Sequence, residues 1–183
     1  MPFLLFDKGI FVYYGDYNAQ QIPFYQICHE AIRTGETGWN WYTDLGSNFI
    51  GSYAFYTLGS PFFWLTLPFP NDWVPYLMAP LLMLKMATAA VTSFGYLKRF
   101  CKNADFAVLG ALMYAFSGYS IYNIFFNHFH EVIAFFPLLL IGMEEFFVED
   151  RRGMFALSVG LLAMVNYYFF FGAVIFAVIY FVV

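Results

Sequence analysis

Asp16 stands between an apolar stretch, Ile10 to Tyr14, and a segment with helical spacing that begins at Tyr17. A carboxylate at such a boundary meets a low dielectric. This strengthens its interaction with any developing charge. The competing role is an N-cap, because an Asp ahead of a helical run satisfies free backbone N–H groups. A second cluster, His128-Phe129-His130-Glu131, brings two imidazoles and a carboxylate together. It could supply a further acid or base, or a pair of metal ligands, against the plainer alternative of solvated loop histidines. Lys85 lies in the middle of an apolar run, where a charge is costly. It is therefore a candidate to bind a lipid phosphate or to pair with a carboxylate, against snorkelling or a structural ion pair. Arg33 could contact a phosphate or diphosphate, or serve only at the surface, and Gln20 is a further substrate-binding candidate beside Asp16.

The elements that must position these groups follow from composition. The chain has 183 residues, 62% hydrophobic, 25% aromatic and 11% charged, with a mean hydropathy of +0.65. Ordinary soluble domains have roughly 45–50% apolar and about 25% charged residues. The main solvent must be lipid. Low charge, ordinary Gly and Pro content and two cysteines exclude a disordered chain, a collagen-like repeat and a disulfide scaffold. A net charge of -4 argues against nucleic acid as a partner.

Four apolar stretches follow residue 73, at 74–97, 105–126, 132–148 and 154–183. A bilayer crossing takes roughly 17–25 helical residues, so the first three fit single helices. The fourth is long for one crossing and is interrupted at Asn166-Tyr167-Tyr168, which predicts either one tilted helix or two segments bent near Asn166. The expected organisation is an all-α polytopic membrane protein: 1–14 as the end of a truncated first membrane segment, 15–73 as a loop, and 74–183 as a helical bundle. No secretory signal is visible. The ending on Val182 and Val183, still within an apolar run, suggests a piece of a larger protein. Small residues, Ala111, Ala115 and Gly118 on one helix and Ala87, Ala90 and Gly95 on the preceding one, provide faces for close helix packing.

Orientation follows from the basic residues. Lys98, Arg99 and Lys102 precede the stretch at 105, and Arg151 and Arg152 precede that at 154. A hairpin over 105–148 puts both links on one face, cytoplasmic by the positive-inside rule. The segment 15–73, with Asp16, Glu30, Glu36, Asp44 and Asp72 against a single Arg33, and the link Asn127 to Glu131 then face outside. Cys28 and Cys101 fall on opposite sides and cannot pair. Within the outer segment a helix over 17–34 carries Pro23 near its first turns and an apolar stripe of Ile22, Tyr25, Cys28 or His29, and Ile32, which suits an interfacial helix. Gly35 to Asn40 reads as a turn, Trp39, Trp41 and Tyr42 as headgroup-depth aromatics, Ser47 to Leu58 as a second short helix, and Pro61 to Pro70 as a dipping element.

Seven motifs occur in order: Asp16-Tyr17-Asn18-Ala19-Gln20-Gln21-Ile22-Pro23-Phe24, Thr43-Asp44-Leu45-Gly46-Ser47-Asn48-Phe49, Tyr56-Thr57-Leu58-Gly59-Ser60-Pro61-Phe62, Leu84-Lys85-Met86-Ala87, Tyr114-Ala115-Phe116-Ser117-Gly118-Tyr119, Pro137-Leu138-Leu139-Leu140-Ile141-Gly142-Met143-Glu144 and Asn166-Tyr167-Tyr168. Together they resemble the N-terminal part of YfhO-type bacterial membrane proteins, which are GT-C-like multi-pass glycosyltransferases. The resemblance implies a GT-C-like helical bundle with an extracytoplasmic interfacial helical loop in the bacterial cytoplasmic membrane. It implies sugar transfer from a polyprenyl-phosphate donor to a glycan, teichoic acid or similar acceptor. Asp16 matches the acidic residue of the first outer loop, which acts as general base or orients the acceptor, and this favours catalysis over the cap, although one residue could do both. The resemblance also points to Glu131 as the second acidic group, leaving His128 and His130 as substrate-binding candidates alongside Gln20, Lys85 and Arg33. Asp16 is followed by Tyr17 and Asn18, so there is no Asp-x-Asp and a divalent metal stays an open requirement. A transporter or flippase of lipid-linked glycans, or a structural membrane subunit, are the competing classes.

Overall fold

A computed structural model of the chain describes residues 5–43 and 45–182. Asp44, the first residues of the leading apolar stretch and Val183 lie outside the described residues. Among those described, the protein is largely helical, with one two-stranded antiparallel ribbon. It divides into two compact units, residues 1–83 with 124–128, and residues 84–123 with 129–183. The link residues 124–128 belong with the first unit. The reason is chemical: Asn127 and His128 bond to side chains of the first unit, as described below.

In the first unit the described part of the leading stretch is not a continuous helix. Lys8 and Gly9 have positive φ and turn the chain after a short helical turn at Leu5 and Phe6. The Phe11 and Tyr13 rings instead pack edge-on against Tyr17. The predicted helix over 17–34 forms as a π-helical turn, Tyr17–Gln21, continuing into α1, Ile22–Thr34. Pro23 sits in its first turn, where its missing N–H costs nothing, and Gly35 ends it in the left-handed region. Of the predicted stripe, Tyr25, Cys28 and His29 are buried within the unit, while Ile22 and Ile32 are half-buried. Beyond the turn, β1, Trp39–Asn40, pairs with β2, Ser47–Asn48, as a short hairpin that the sequence reading missed. The second short helix comes in two parts, α2, Phe49–Tyr53, capped by the Asn48 side chain, and a π-helical turn, Ala54–Leu58. The proline-bounded segment contributes α3, Pro61–Trp64, capped by Ser60. Tyr17, Tyr25, Phe49, Tyr53, Phe63 and Met78 form the fully covered interior.

Helix α4, Val74–Leu97, matches the first predicted stretch. The second stretch is broken. Helix α5, Ala104–Ala115, stops before Ser117, whose extended backbone and side-chain oxygen cap α6, Gly118–Tyr122. Helix α7, Phe129–Glu149, begins earlier than expected and takes Phe129, His130 and Glu131 into its first turn. The fourth stretch is two helices, α8, Gly153–Val165, and α9, Tyr167–Val182, separated by Asn166 in an extended conformation. At about 1.5 Å per residue they are roughly 20 and 24 Å long, less than the bilayer core of about 30 Å. Among the described residues, two helical stretches are long and apolar enough to cross a membrane, Asn71–Leu97 and Ala104–Phe125, the latter including the break at Ser117.

Within the second unit, α4 and α7 lie side by side and run the same way. Arg99 and Glu145, 46 residues apart, form an ion pair of 2.5 Å, and the same separation relates Lys85 to Glu131 and Gly95 to Ile141 in contact. Thr92 donates to the Ala134 carbonyl at 2.8 Å across this seam. Pro137 inside α7 has no N–H for the Ile133 carbonyl, and the Tyr114 hydroxyl of α5 donates to that carbonyl at 2.9 Å. The hairpin of α7 and α8 closes at Gly142, where an added Cβ would lie 2.7 Å from Phe155 Cα. Helix α9 turns back at Asn166 and runs along α7 in the same sense, pairing Phe169 with Phe129, Phe176 with Phe136 and Phe181 with Phe147. The expected small-residue faces are used in part: Ala111 and Ala115 are buried, whereas on α4 Ala89 is buried and Ala87 is exposed.

Candidate functional site

In the first unit, Asp16 opens the π-helical turn but does not cap it. Its own backbone is already helical, φ -61° and ψ -19°, so its carboxylate makes no capping hydrogen bond. Among the described residues it makes no hydrogen bond or ion pair, and the side chain is half-buried. The local backbone is held instead by Asn18, whose side-chain oxygen accepts from Tyr13 N at 3.1 Å and whose amide donates to the Tyr13 carbonyl. Gln20 is half-buried on the same turn.

From the link, His128 reaches this turn at Gln21. His128 Nδ1 lies 3.2 Å from Gln21 Oε1, so the ring donates from Nδ1. The Phe55 and Tyr56 rings of the second π-helical turn stand edge-on to the imidazole. Two distortions of regular helix thus converge on one buried histidine, a placement that π-turns often have at functional sites. The Gln21 amide nitrogen and the Tyr17 hydroxyl are buried with no hydrogen-bond partner among the described residues. Nearby, Asn127 donates to the Tyr25 hydroxyl at 3.2 Å. Burial pushes the Tyr17 phenol up.

Along α1 three further polar groups, Cys28, His29 and Arg33, bond within the first unit. Cys28 is held 3.0 Å from Thr57 Oγ1, and burial pushes its thiol up to about 12, which keeps it protonated and inert. His29 Nε2 lies 2.6 Å from Thr66 Oγ1, whose proton goes to the Phe63 carbonyl, so Nε2 is the donor. Burial, with the Arg33 charge adding, lowers this imidazole to about 4 and keeps it neutral. Arg33 is exposed, and its guanidinium donates to the Leu67 and Phe69 carbonyls.

In the second unit, Lys85 Nζ lies 2.7 Å from Glu131 Oε1, with both side chains almost wholly out of contact with solvent. The plainer alternative of solvated loop histidines does not hold: His128, His130 and Glu131 are all buried. Helix formation from Phe129 onward turns Glu131 toward α4, and His130 Nε2 donates to the Ser120 carbonyl at 2.8 Å. Of the choices open for Lys85, pairing with a carboxylate is the one adopted. Among the described residues no three metal-ligating side chains converge. Sequence reasoning missed Gln21, Tyr114 and Thr92; Pro137 was the signal that could have found Tyr114, because it leaves a carbonyl one turn earlier without its helical donor.

A protein-family model described as bacterial membrane protein YfhO matches residues 4–183. The chain belongs to the YfhO family of bacterial membrane proteins. The match covers both units and so agrees with the ordered motifs from Asp16 to Asn166. No curated protein and no solved structure matches the chain. As a YfhO member it works in a bilayer, which accounts for exposed apolar side chains such as Phe106 and Met113 on α5, Leu157 and Met164 on α8, and Phe171 and Ile179 on α9.

Proposed function

We propose that this YfhO-family protein is a membrane glycosyltransferase of the GT-C type, moving a sugar from a polyprenyl-phosphate carrier to an acceptor outside the cytoplasm, with Asp16 as general base. The observation that carries this reading is the Asp16 carboxylate, half-buried at the head of a helical segment and without a hydrogen bond or ion pair among the described residues. A carboxylate used only as a cap would be bonded to the turn it begins. In the reaction the acceptor oxygen attacks the anomeric carbon and its proton passes to Asp16. The bond from that carbon to the phosphate oxygen breaks, releasing the polyprenyl phosphate.

The proposed orientation draws on the second unit. The pairing of Arg99 with Glu145 sets the ends of α4 and α7 together, so the basic links at 98–102 and 151–152 share one end. The positive-inside rule makes that end cytoplasmic and puts residues 15–73 outside. In the intact protein, Asp16→Asn abolishes transfer from a labelled polyprenyl-phosphate sugar while membrane expression is kept; unchanged transfer rejects the assignment.

One observation favours a second reading, transport of a lipid-linked glycan: the buried Lys85–Glu131 pair, a charged device of the kind carriers use within their spans. The same labelled substrate separates the two, because a flippase moves the label across the bilayer without passing the sugar on.

A further inference from the structure

We propose that the cleft beside the β1–β2 hairpin binds a neutral or amino-sugar glycan segment. This inference rests on the transferase reading, in which that glycan is the acceptor, and it narrows the acceptor class away from polyphosphate polymers. Trp39 lies in β1 and Trp41 in the turn directly after it, and their indoles meet. Their ring centroids are 5.8 Å apart at 70°, an edge-to-face corner beside the cleft. The corner is fixed from below by Gly46 at φ +115°: a Cβ there would meet Trp39 Nε1 at 3.0 Å and Trp41 Cε3 at 3.1 Å. Asn40 Oδ1 accepts from Tyr42 N at 2.8 Å, and Phe49 N bonds to the Gly38 carbonyl at 2.9 Å, so the backbone around the corner is tied down.

Glu36, Gly38, Asn40 and Tyr42 complete the lining of a cleft of about 510 Å³, within the range of roughly 300–1,000 Å³ usual for small-ligand sites. Trp39, Trp41 and Tyr42 remain 57%, 74% and 92% exposed. A pyranose offers C–H faces and a hydroxyl edge. The electron-rich indole faces attract the former, and a carboxylate and an amide can bond the latter. Charge decides between ligands of this general shape. The Glu36 carboxylate lines the cleft, no cation among the described residues does, and the nearest cation in sequence, Arg33, is engaged by the Leu67 and Phe69 carbonyls. An anionic polymer or lipid headgroup would meet like charge, whereas a neutral or amino sugar would not.

The test uses the intact protein in phosphatidylcholine nanodiscs, titrated with chitotetraose, cellotetraose and maltotetraose while tryptophan emission is followed in a Trp64→Phe/Trp73→Phe background. At least one saccharide is expected to change the emission saturably. Its affinity should fall about tenfold or more in Trp41→Ala, read by calorimetry, and equally in Gly46→Val, which keeps both indoles but displaces them. Absence of binding by all three saccharides, undiminished affinity in both variants, or preference for an oligo(glycerol phosphate) would overturn the proposal. So would quenching of this emission by brominated phosphatidylcholine with no response to sugar, the signature of a bilayer anchor. Saccharide binding without transfer from any polyprenyl-phosphate donor rejects the transferase reading alone; transfer that depends on Asp16 but proceeds without saccharide binding at the cleft rejects the cleft alone.

Discussion

Lys85 and Glu131 meet at 2.7 Å in the interior of the second unit, joining the middle of α4 to the first turn of α7. A buried ion pair contributes little net stability, because desolvation offsets the attraction, but it fixes which residues face each other along two parallel helices. Removing one partner strands the other. Lys85→Met is expected to cost about 3–5 kcal/mol, while Lys85→Met combined with Glu131→Leu recovers most of that loss. Equilibrium unfolding in detergent micelles measures both. Simple addition of the two single losses would show that the pair is not coupled.

The close approach at Gly142 leads to a sharper contrast. Gly142→Ala pushes a methyl into the Phe155 backbone, which cannot move as a flexible side chain would, and should lower stability by about 1–3 kcal/mol. Gly160, on α8, has open space where its Cβ would stand. Gly160→Ala should be neutral or stabilising by up to about 1 kcal/mol through helix propensity. Thermal melts of the two variants against the parent separate packing from propensity.

His29 makes the first unit sensitive to acid. Its imidazole, ordinarily near 6.5, is lowered to about 4 in the fold by burial and, secondarily, by Arg33. The unfolded chain therefore binds a proton that the folded chain refuses between these values. Stability is full above pH 6.5 and falls as pH drops towards 4, by up to about 3 kcal/mol. A His29→Gln variant, which keeps a donor towards Thr66, should lose less between pH 7 and pH 4.5 in fluorescence-monitored unfolding. An identical acid loss in the variant would assign the effect to another group.

Much of this architecture was legible in residue order, for reasons that particular elements make clear. The apolar run at 74–97 is a helix as spaced, and Pro23 and Gly35 bracket α1 as helix chemistry requires. Lys85 was readable as exceptional because a charge within an apolar run needs a partner. That partner stayed hidden because Glu131 lies beside His128 and His130, a string that looks solvated until α7 is known to start at Phe129. The break at Ser117 was written as a Ser-x-x-Ser cap but lost in an otherwise continuous apolar signal. Asp16 had the type and place of an N-cap, yet its helical backbone angles prevent the capping geometry, and residue type carries no sign of those angles. The β1–β2 ribbon was missed because two-residue strands carry no period to detect.

The reversal at Asn166 changes how the chain's sidedness must be counted. Tallied as a single traverse, the apolar run from 154 would deliver its last residue to the far leaflet. Folded back on itself, it brings Phe181 beside Phe147 and the Tyr180 hydroxyl to Glu144, at the end from which α8 departed. A reporter fused after Val182 should accordingly show the same protease or phosphatase exposure as one inserted at Arg151. Every later segment of a longer family member would have its inside and outside parity set by this one asparagine.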